Sequence, residues 1–462
     1  MLTIYNTLTR KPEPFESFHK GEVGIYVCGM TVYDRCHLGN ARVWIFFDVV
    51  VRYLRALGYR VNYVRNVTDI DDKIIKRAAE LKEDYKVIIE RFINFLHADE
   101  KALYVLPPDH EPRVTEHIPQ IIELIASLLA KGYAYVAENG DVYYDIHKFS
   151  AYGELAHKDL ENLRVGARVE VNIAKRDPLD FVLWKQAKPF EPAWDSPWGK
   201  GRPGWHIECS AMALHYFGKR IDIHGGGADL QFPHHQNEVA QSEAFLEAKF
   251  VNYWMHVGFV QVAHQKMSKS SGNFFTVHEL LVKYHAEVLR YFVLASHYRS
   301  PLNYTVANLD SAQGAMTRLY VALRDLQSAS EITDKKVLAL KERFYRALDD
   351  DFNTPEAIAT LFDAARECNK LRMTDLKFAA QYVKLMRDLG AILGILQCTA
   401  DDFLRGNADE MEIEKLIAER NSARQNKNWQ LADEIRKNLE RQGIVLEDTA
   451  QGTVWRRINH GI

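Results

Sequence analysis

Apolar and polar positions along the chain follow two rhythms, and the change from one to the other marks out its parts. Gly24 to Cys28 (GIYVC) is a short, mostly apolar run that halts at Gly29, the pattern of a buried strand ending in a turn. After His37-Leu38-Gly39-Asn40, residues Val43, Phe46, Phe47, Val50, Leu54 and Leu57 recur at intervals of three and four, which predicts an amphipathic helix closed by Gly58. A second strand is expected at Val61 to Val67. Thr68-Asp69-Ile70-Asp71-Asp72 can cap a helix starting near Lys73, its carboxylates suited to the positive end of the helix dipole. Strand, helix, strand, helix opens a doubly wound α/β domain.

The rhythm changes between about Ile121 and Gly204, which we take as an insertion. After one helix, Tyr133 to Glu138 and Asp141 to Asp145 flank Asn139-Gly140, the signal for a β-hairpin with a two-residue turn. The α/β pattern resumes at Gly204 to His215 and Arg220 to His224, followed by Gly225-Gly226-Gly227. Beyond Pro301 the chain is helical for about a hundred residues, with Thr354-Pro355-Glu356 a helix start because proline suits the first helical position. Two more helices, near 411 to 426 and 428 to 442, precede a hairpin of Ile444 to Asp448 and Thr453 to Arg457. The expected architecture is a Rossmann-like doubly wound domain (1–120 and 205–250) with an insertion (121–204). A connecting segment (251–310), a helical bundle (311–405) and a small C-terminal α/β domain (406–462) follow.

Length and composition narrow the class. At 462 residues there is room for about three domains, and 47% hydrophobic with 26% charged residues excludes general disorder. The apolar stretch Val43 to Val51 is broken by Asp48 and falls short of a membrane span, and no secretory signal opens the chain, so a cytoplasmic protein is expected. The five cysteines (Cys28, Cys36, Cys209, Cys368, Cys398) are scattered, without a C-x-x-C pair, which favours reduced thiols over disulfides. Net charge is only -3, so any polyanion site must be local. Between Lys415 and Arg457, nine Lys/Arg outnumber six Asp/Glu.

Two segments suit a nucleotide. His37-Leu38-Gly39-Asn40 sits between strand and helix, where backbone N–H groups and the helix dipole favour phosphate, and Gly39 permits close approach. Lys266-Met267-Ser268-Lys269-Ser270, continuing into Ser271-Gly272-Asn273, places two lysines in a small, hydroxyl-rich loop. Either alone is compatible with an ordinary helix entry or an exposed basic loop. Together, in this order and widely separated, they resemble the HIGH and KMSKS signatures of class I aminoacyl-tRNA synthetases. The resemblance implies ATP, with Mg²⁺, bound at His37, Gly39, Asn40, Lys266 and Lys269, with His37, Asn40, Lys266 and Lys269 serving catalysis. The fourth signature position is Asn40 and not histidine, so a contact that needs that second imidazole is not available.

Cys28 ends the first strand, Cys209 lies in Trp205-His206-Ile207-Glu208-Cys209-Ser210, and His234 and Glu238 are four apart after Pro233, a helix opening that would put both on one face. Two thiolates, an imidazole and a carboxylate suit Zn²⁺. Spacing alone does not find such a site: each cysteine taken singly suits core packing, and His-x-x-x-Glu suits a surface helix pair. These residues, with Thr68-Asp69-Ile70-Asp71-Asp72-Lys73, Lys175-Arg176-Asp177-Pro178, Pro203 through Ser210 and His224 through Glu238, resemble the cysteinyl-tRNA synthetase family through most of the first 300 residues.

The resemblance implies one Zn²⁺ held by Cys28, Cys209, His234 and Glu238 at the floor of an amino-acid pocket, binding the substrate thiolate. Gly29, Thr68, Trp205, His224 and Asp229 would line that pocket, and Cys36, Cys368 and Cys398 would be packing residues. Cysteine and serine are nearly isosteric, and shape alone discriminates poorly, whereas a soft metal prefers sulfur. Four protein ligands resemble a closed structural site, so Glu238, the hard ligand, is expected to yield or lengthen when substrate arrives.

At the C-terminus, Arg424 through Arg436 mixes cations, amides and Trp429, suited to stacking a splayed base, and equally to a charged helix pair plugged by Trp429. The resemblance assigns Arg424, Trp429 and Asp433 to the tRNA anticodon. The expected activity is ATP-dependent ligation of L-cysteine to tRNA(Cys) through a cysteinyl-adenylate, by a monomer. A cysteine ligase acting on a small amino-sugar acceptor, a zinc hydrolase and a non-catalytic RNA-binding protein are the rivals; the second lacks a His-Glu-x-x-His motif.

Overall fold

The computed structural model describes residues 1–157, 174–189, 191–262, 265–266, 274–405, 410–449 and 452–457. It divides into two compact units. The first contains Met1–Val277, His297–Asn303 and Leu348–Asn353; the second contains His278–Ser296, Tyr304–Ala347 and Thr354–Ile462.

The first unit is built on a four-stranded parallel sheet ordered Val251–Val257, Ile221–Gly227, Glu22–Val27, Arg60–Arg65. The expected opening is present: strand Glu22–Val27, helix Leu38–Ala56, strand Arg60–Arg65 and helix Asp72–Leu81, whose N-cap Asp71 accepts from Lys73 N. One detail differs. The helix Leu38–Ala56 is not amphipathic with a single apolar stripe: Trp44, Ile45, Val49 and Val51 are buried along with Phe46, Phe47, Val50 and Leu54, while Leu57 is exposed. A helix apolar nearly all round is covered nearly all round, and Asp48 is tolerated there because it accepts from Leu106 N (2.9 Å) and Arg52 Nε (2.9 Å).

A four-stranded antiparallel sheet (Ala134–Val136, Val142–Tyr144, Phe181–Gln186, Gly201–Pro203) fills the stretch anticipated as an insertion. Its first hairpin corrects the two-residue turn. Ala137 N bonds Asp141 O and Gly140 N bonds Ala137 O, both at 2.9 Å, so the loop has three residues, 138–140, with Gly140 at φ +84°. A type I turn closed by a left-handed glycine uses the same Asn-Gly pair one register over.

Helices dominate the second unit, among them Ala286–Leu294, Val306–Leu323, Thr354–Leu371 with Pro355 second, and Leu376–Leu393. The buried Glu287 carboxylate organises one corner, accepting from Leu396 N (2.7 Å), Gln397 N (2.8 Å) and Tyr320 Oη (2.7 Å). The chain ends in helices Glu410–Gln425 and Trp429–Arg441 and the hairpin Ile444–Thr449 with Gly452–Arg457, around a small core of Ile413, Ile417, Ile435, Leu439, Ile444, Leu446 and Trp455. No helix among the described residues is long and apolar enough to cross a membrane.

Asp448 pins that hairpin to the helices: Arg420 meets it with both terminal nitrogens at 3.0 Å, Arg424 at 2.7 Å and Thr453 Oγ1 at 2.8 Å. The Arg420 hydrogen bonds, followed by those of Thr453 and Arg424, hold its carboxyl well below the usual range. A lowered folded-state pKa contributes stability that is complete above the unfolded carboxyl value, near pH 4, and is lost as pH falls below it. Asp448→Asn therefore speeds hydrogen exchange of the 444–449 amides relative to the parent by a constant factor between pH 5 and 8, and the difference between the two proteins shrinks below about pH 4.

Candidate metal and substrate site

The order of the parallel strands reverses between Glu22–Val27 and Ile221–Gly227, and in sheets of this kind the crevice beyond the strand ends at the reversal takes ligands. Cys28 directly follows the first of these strands, its N–H donating to Gly225 O at 3.1 Å. Cys209 comes from the helix Trp205–Phe217. Pro233 does not open an α-helix, as the sequence suggested: it follows a cis peptide inside a wide turn, Gln231–His235, and the helix Gln236–Leu246 starts after it. The turn nevertheless brings His234 Nε2 to 3.0 Å from Glu238 Oε1.

The four side chains meet in a buried cluster. The two sulfurs are 3.7 Å apart, and Cys28 Sγ lies 3.3 Å from Glu238 Oε1. Around a tetrahedral zinc with bonds of ~2.0–2.3 Å, neighbouring ligand atoms would be about 3.3–3.8 Å apart, close to the spacings here. A second set overlaps the first: Cys28, His224, His235 and Glu238 also lie within reach of one point. Two features favour the first set. It offers two soft sulfurs, and its members are held from behind: His224 Nε2 bonds the other Glu238 oxygen at 2.8 Å, and His206 Nδ1 faces His234 Nδ1 at 3.0 Å.

The charges agree with that choice. Burial opposes ionisation of Glu238, but the adjacent His224 and His234 outweigh it and hold its carboxyl well below the normal range. Of the two thiols, Cys209 is the one favoured as thiolate, through the hydrogen bond from Cys28, while burial and that same bond push Cys28 up. Burial opposes a charge on His234 as well, but Cys209 and Glu238 outweigh it and raise its imidazole to about 10, so its proton answers part of the thiolate and carboxylate charge, and a divalent cation bound here would displace that proton.

Around this cluster the anticipated pocket residues fall in different situations. Gly29 donates its N–H to Asn66 Oδ1 at 2.8 Å, and a Cβ there would sit 1.6 Å from Asn66 O, so no larger residue fits. Thr68 is buried, with Oγ1 3.3 Å from Asn66 Nδ2. Trp205 is 40% exposed, its ring 4.3 Å from that of His234. His224 is fully buried against Trp254 and clamps Glu238, and Asp229 is exposed beyond the end of its strand. Asn66 and His206 were missed. Nothing in their local sequence marks them, because their roles depend on partners far along the chain.

His37 caps the helix Leu38–Ala56: Nδ1 accepts from Asn40 N at 3.3 Å, and Asn40 Oδ1 accepts from His37 N at 3.1 Å, a reciprocal capping box. A Cβ on Gly39 would stand 2.8 Å from the His37 ring, so glycine lets the imidazole fold over the turn. Only the backbone of Lys266 is described, in a short strand paired with Val260–Val262, and Lys269 lies outside the described residues. At the C-terminus Arg424 is engaged with Asp448, Trp429 is 60% exposed at the start of its helix, and Asp433 is exposed one turn later. Cys36 and Cys368 are buried as expected; Cys398 is half-buried, with its sulfur 3.1 Å from Tyr320 Oη.

Residues 14–314 match the family model of the tRNA synthetase class I (C) catalytic domain. The chain belongs to the cysteine–tRNA ligases, class I aminoacyl-tRNA synthetases. Residues 343–397 match the DALR domain, and residues 410–456 match the cysteinyl-tRNA ligase anticodon-binding domain. A cysteine–tRNA ligase of Thioalkalivibrio sulfidiphilus is 59% identical over 99% of this chain and 100% of its own length, and one of Idiomarina loihiensis is 56% identical over 99% of each. In fold, a methionyl-tRNA synthetase from Mycobacterium tuberculosis superposes with a TM-score of 0.60 at 16% identity, covering 84% of this chain and 95% of that one. An anticodon-binding match and full-length likeness to cysteine–tRNA ligases leave the amino-sugar, hydrolase and non-catalytic alternatives without support.

The two overlapping donor sets make opposite predictions. Titration of the metal-free ligase with Co²⁺ should give one ion per chain with thiolate charge-transfer absorption; His234→Ala and Cys209→Ala should abolish it, whereas His235→Ala should retain it.

Proposed function

We propose that this cysteine–tRNA ligase activates L-cysteine with ATP to a cysteinyl-adenylate and then transfers the cysteinyl group to the terminal adenosine of tRNA(Cys), acting as a monomer. The observation that carries the reading is the buried two-thiol donor set at the strand-order reversal, on the strand end that leads into the helix capped by His37. Cys28, Cys209, His234 and Glu238 would hold Zn²⁺, which supplies a soft Lewis acid that favours sulfur over the hydroxyl of serine.

The remaining work falls to the chain. Asn66 fixes Gly29 from two sides: its Oδ1 accepts the Gly29 N–H at 2.8 Å, and its backbone carbonyl fills the place a side chain would take, which sets the loop after Cys28 for the amino acid. Because His37 Nδ1 accepts from Asn40 N, the ring proton belongs on Nε2, a donor for a phosphate oxygen beside the N-terminal N–H groups of the helix. The cysteine carboxylate attacks the α-phosphorus of Mg²⁺-ATP and pyrophosphate departs with the bonding electrons, its charge met by Lys266 and Lys269. Such a displacement needs positioning and charge stabilisation more than covalent help from the protein. Trp205, Thr68, His224 and Asp229 complete the pocket on this reading. Residues 1–120 and 205–250 form its catalytic domain, 121–204 the insertion, 251–310 the connecting segment, 311–405 the bundle and 406–462 the anticodon domain, where Trp429, Arg424 and Asp433 meet RNA.

Chelation of the metal should abolish cysteine-dependent ATP–pyrophosphate exchange, and added Zn²⁺ should restore it. With the metal in place, serine should support exchange at least about 100-fold less efficiently than cysteine; equal activation of serine would sink the selectivity argument. Trp429→Ala removes a stacking surface of ~1–3 kcal/mol, so tRNA charging should fall about tenfold in kcat/KM while pyrophosphate exchange stays unchanged. Equal losses in both would make Trp429 a folding residue.

A further inference from the structure

Arg42, in the second turn of the helix Leu38–Ala56, is 1% exposed, yet no carboxylate among the described residues pairs with it. Its guanidinium is surrounded by backbone carbonyls instead. Nη1 donates to Gly258 O (2.7 Å) and Phe259 O (2.9 Å); Nη2 donates to Ser300 O (2.5 Å), His297 O (3.3 Å) and Tyr298 O (3.3 Å). Burying a cation without a counter-ion is expensive, and Leu or Met would satisfy packing alone, so the fork is there for what it ties together.

The segments it ties have a common destination. Phe259 immediately precedes the strand Val260–Val262, which pairs antiparallel with Gln265–Lys266 through Gln261↔Lys266 and Val262↔Gln265. Gly258 is pressed against the second carbonyl group, its N–H on Tyr298 O at 2.8 Å, and a Cβ there would lie 2.6 Å from Ser300 O. The chain then returns to the same helix: Leu38 N donates to Phe275 O at 3.1 Å, His37 bridges Thr276, and Val277 N donates to Cys36 O at 2.9 Å. Both feet of the lysine-bearing segment therefore stand on the first two turns of the helix that His37 caps. The return foot is held to the helix by backbone pairing; the outgoing foot pairs by its backbone with the segment at 302, Leu302 N donating to Phe259 O at 2.9 Å, and Arg42 is what fastens it to the helix.

We propose that Arg42 is a positioning residue for amino-acid activation, setting the hairpin that bears Lys266 against the His37 end of the helix. This rests on the reading above, in which Lys266 meets the departing pyrophosphate. A lysine at position 42 keeps the charge but cannot serve two carbonyl groups with one planar fork, so it shifts the outgoing foot without emptying the site. Misplacement on the scale of an ångström costs about 10- to 100-fold in a positioned reaction.

The experiment is a double-mutant cycle on ATP–pyrophosphate exchange with the full-length zinc-loaded ligase. Arg42→Lys should lower kcat about 10- to 100-fold while the KM for cysteine changes less than about twofold. If Arg42 acts through Lys266, the double variant Arg42→Lys/Lys266→Ala should be no slower than Lys266→Ala, within about twofold. Arg42→Gln, neutral but still a donor, repeats the cycle should the lysine variant prove unstable. Losses that multiply, or a raised cysteine KM with kcat kept, overturn the inference and leave the proposed activation chemistry standing. Full exchange by Lys266→Ala would refute the role given to that lysine, and the inference with it.

Discussion

A carboxylate and two thiols buried together impose the strongest constraint on this protein. Glu238, Cys28 and Cys209 lie where water cannot solvate them, and unpaired charge in such a place is intolerable unless neighbours or a cation answer it. The surroundings are arranged accordingly. His224 holds one Glu238 oxygen and His234 the other, His206 backs His234, and Trp254 and Trp205 close over the two imidazoles. Ligand groups and their supports thus come from three adjacent parallel strands, two helices and the turn before the second helix, and the parallel sheet is what brings these pieces together.

The same sheet carries the proposed nucleotide end. The strand that ends at Cys28 runs on into the helix capped by His37, so the proposed amino-acid floor and the proposed phosphate seat are consecutive features of one strand–loop–helix unit. That helix is also the platform for residues far along the chain, since Arg42 fastens 258–259 and 297–300 and the backbone around His37 fastens 275–277. Its nearly continuous burial follows from these duties: a helix with partners on almost every side has no polar face left to show.

The C-terminal domain uses its charges differently. Its excess of cations is not all available to an outside polyanion, because Arg420 and Arg424 are spent on Asp448 to fasten the hairpin. Trp429, by contrast, stays exposed while Trp455 fills the small core, its indole N–H on Glu414 at 2.9 Å. Two tryptophans in one small domain therefore do opposite things, and an outward one beside exposed polar residues is the better surface for a base.

Local pattern by itself determined much of this protein. The strand–helix–strand–helix opening, the hairpin at Asn139-Gly140, the helix at Thr354-Pro355 and the final helix pair with its hairpin all follow from periodicity and turn chemistry, which act within a few residues. Family resemblance then marked four candidate metal ligands whose spacing along the chain is uninformative. What tertiary structure decided was everything that depends on partners distant in sequence: the meeting of two cysteines 181 positions apart, the hinge of the Pro233 turn, and the full cover of the helix at Leu38. Asn66, His206 and Arg42 belong here too. Each is an ordinary polar residue by its neighbours in sequence, and each acquires its task only because strand order and burial set a donor opposite an acceptor that no local pattern could foresee.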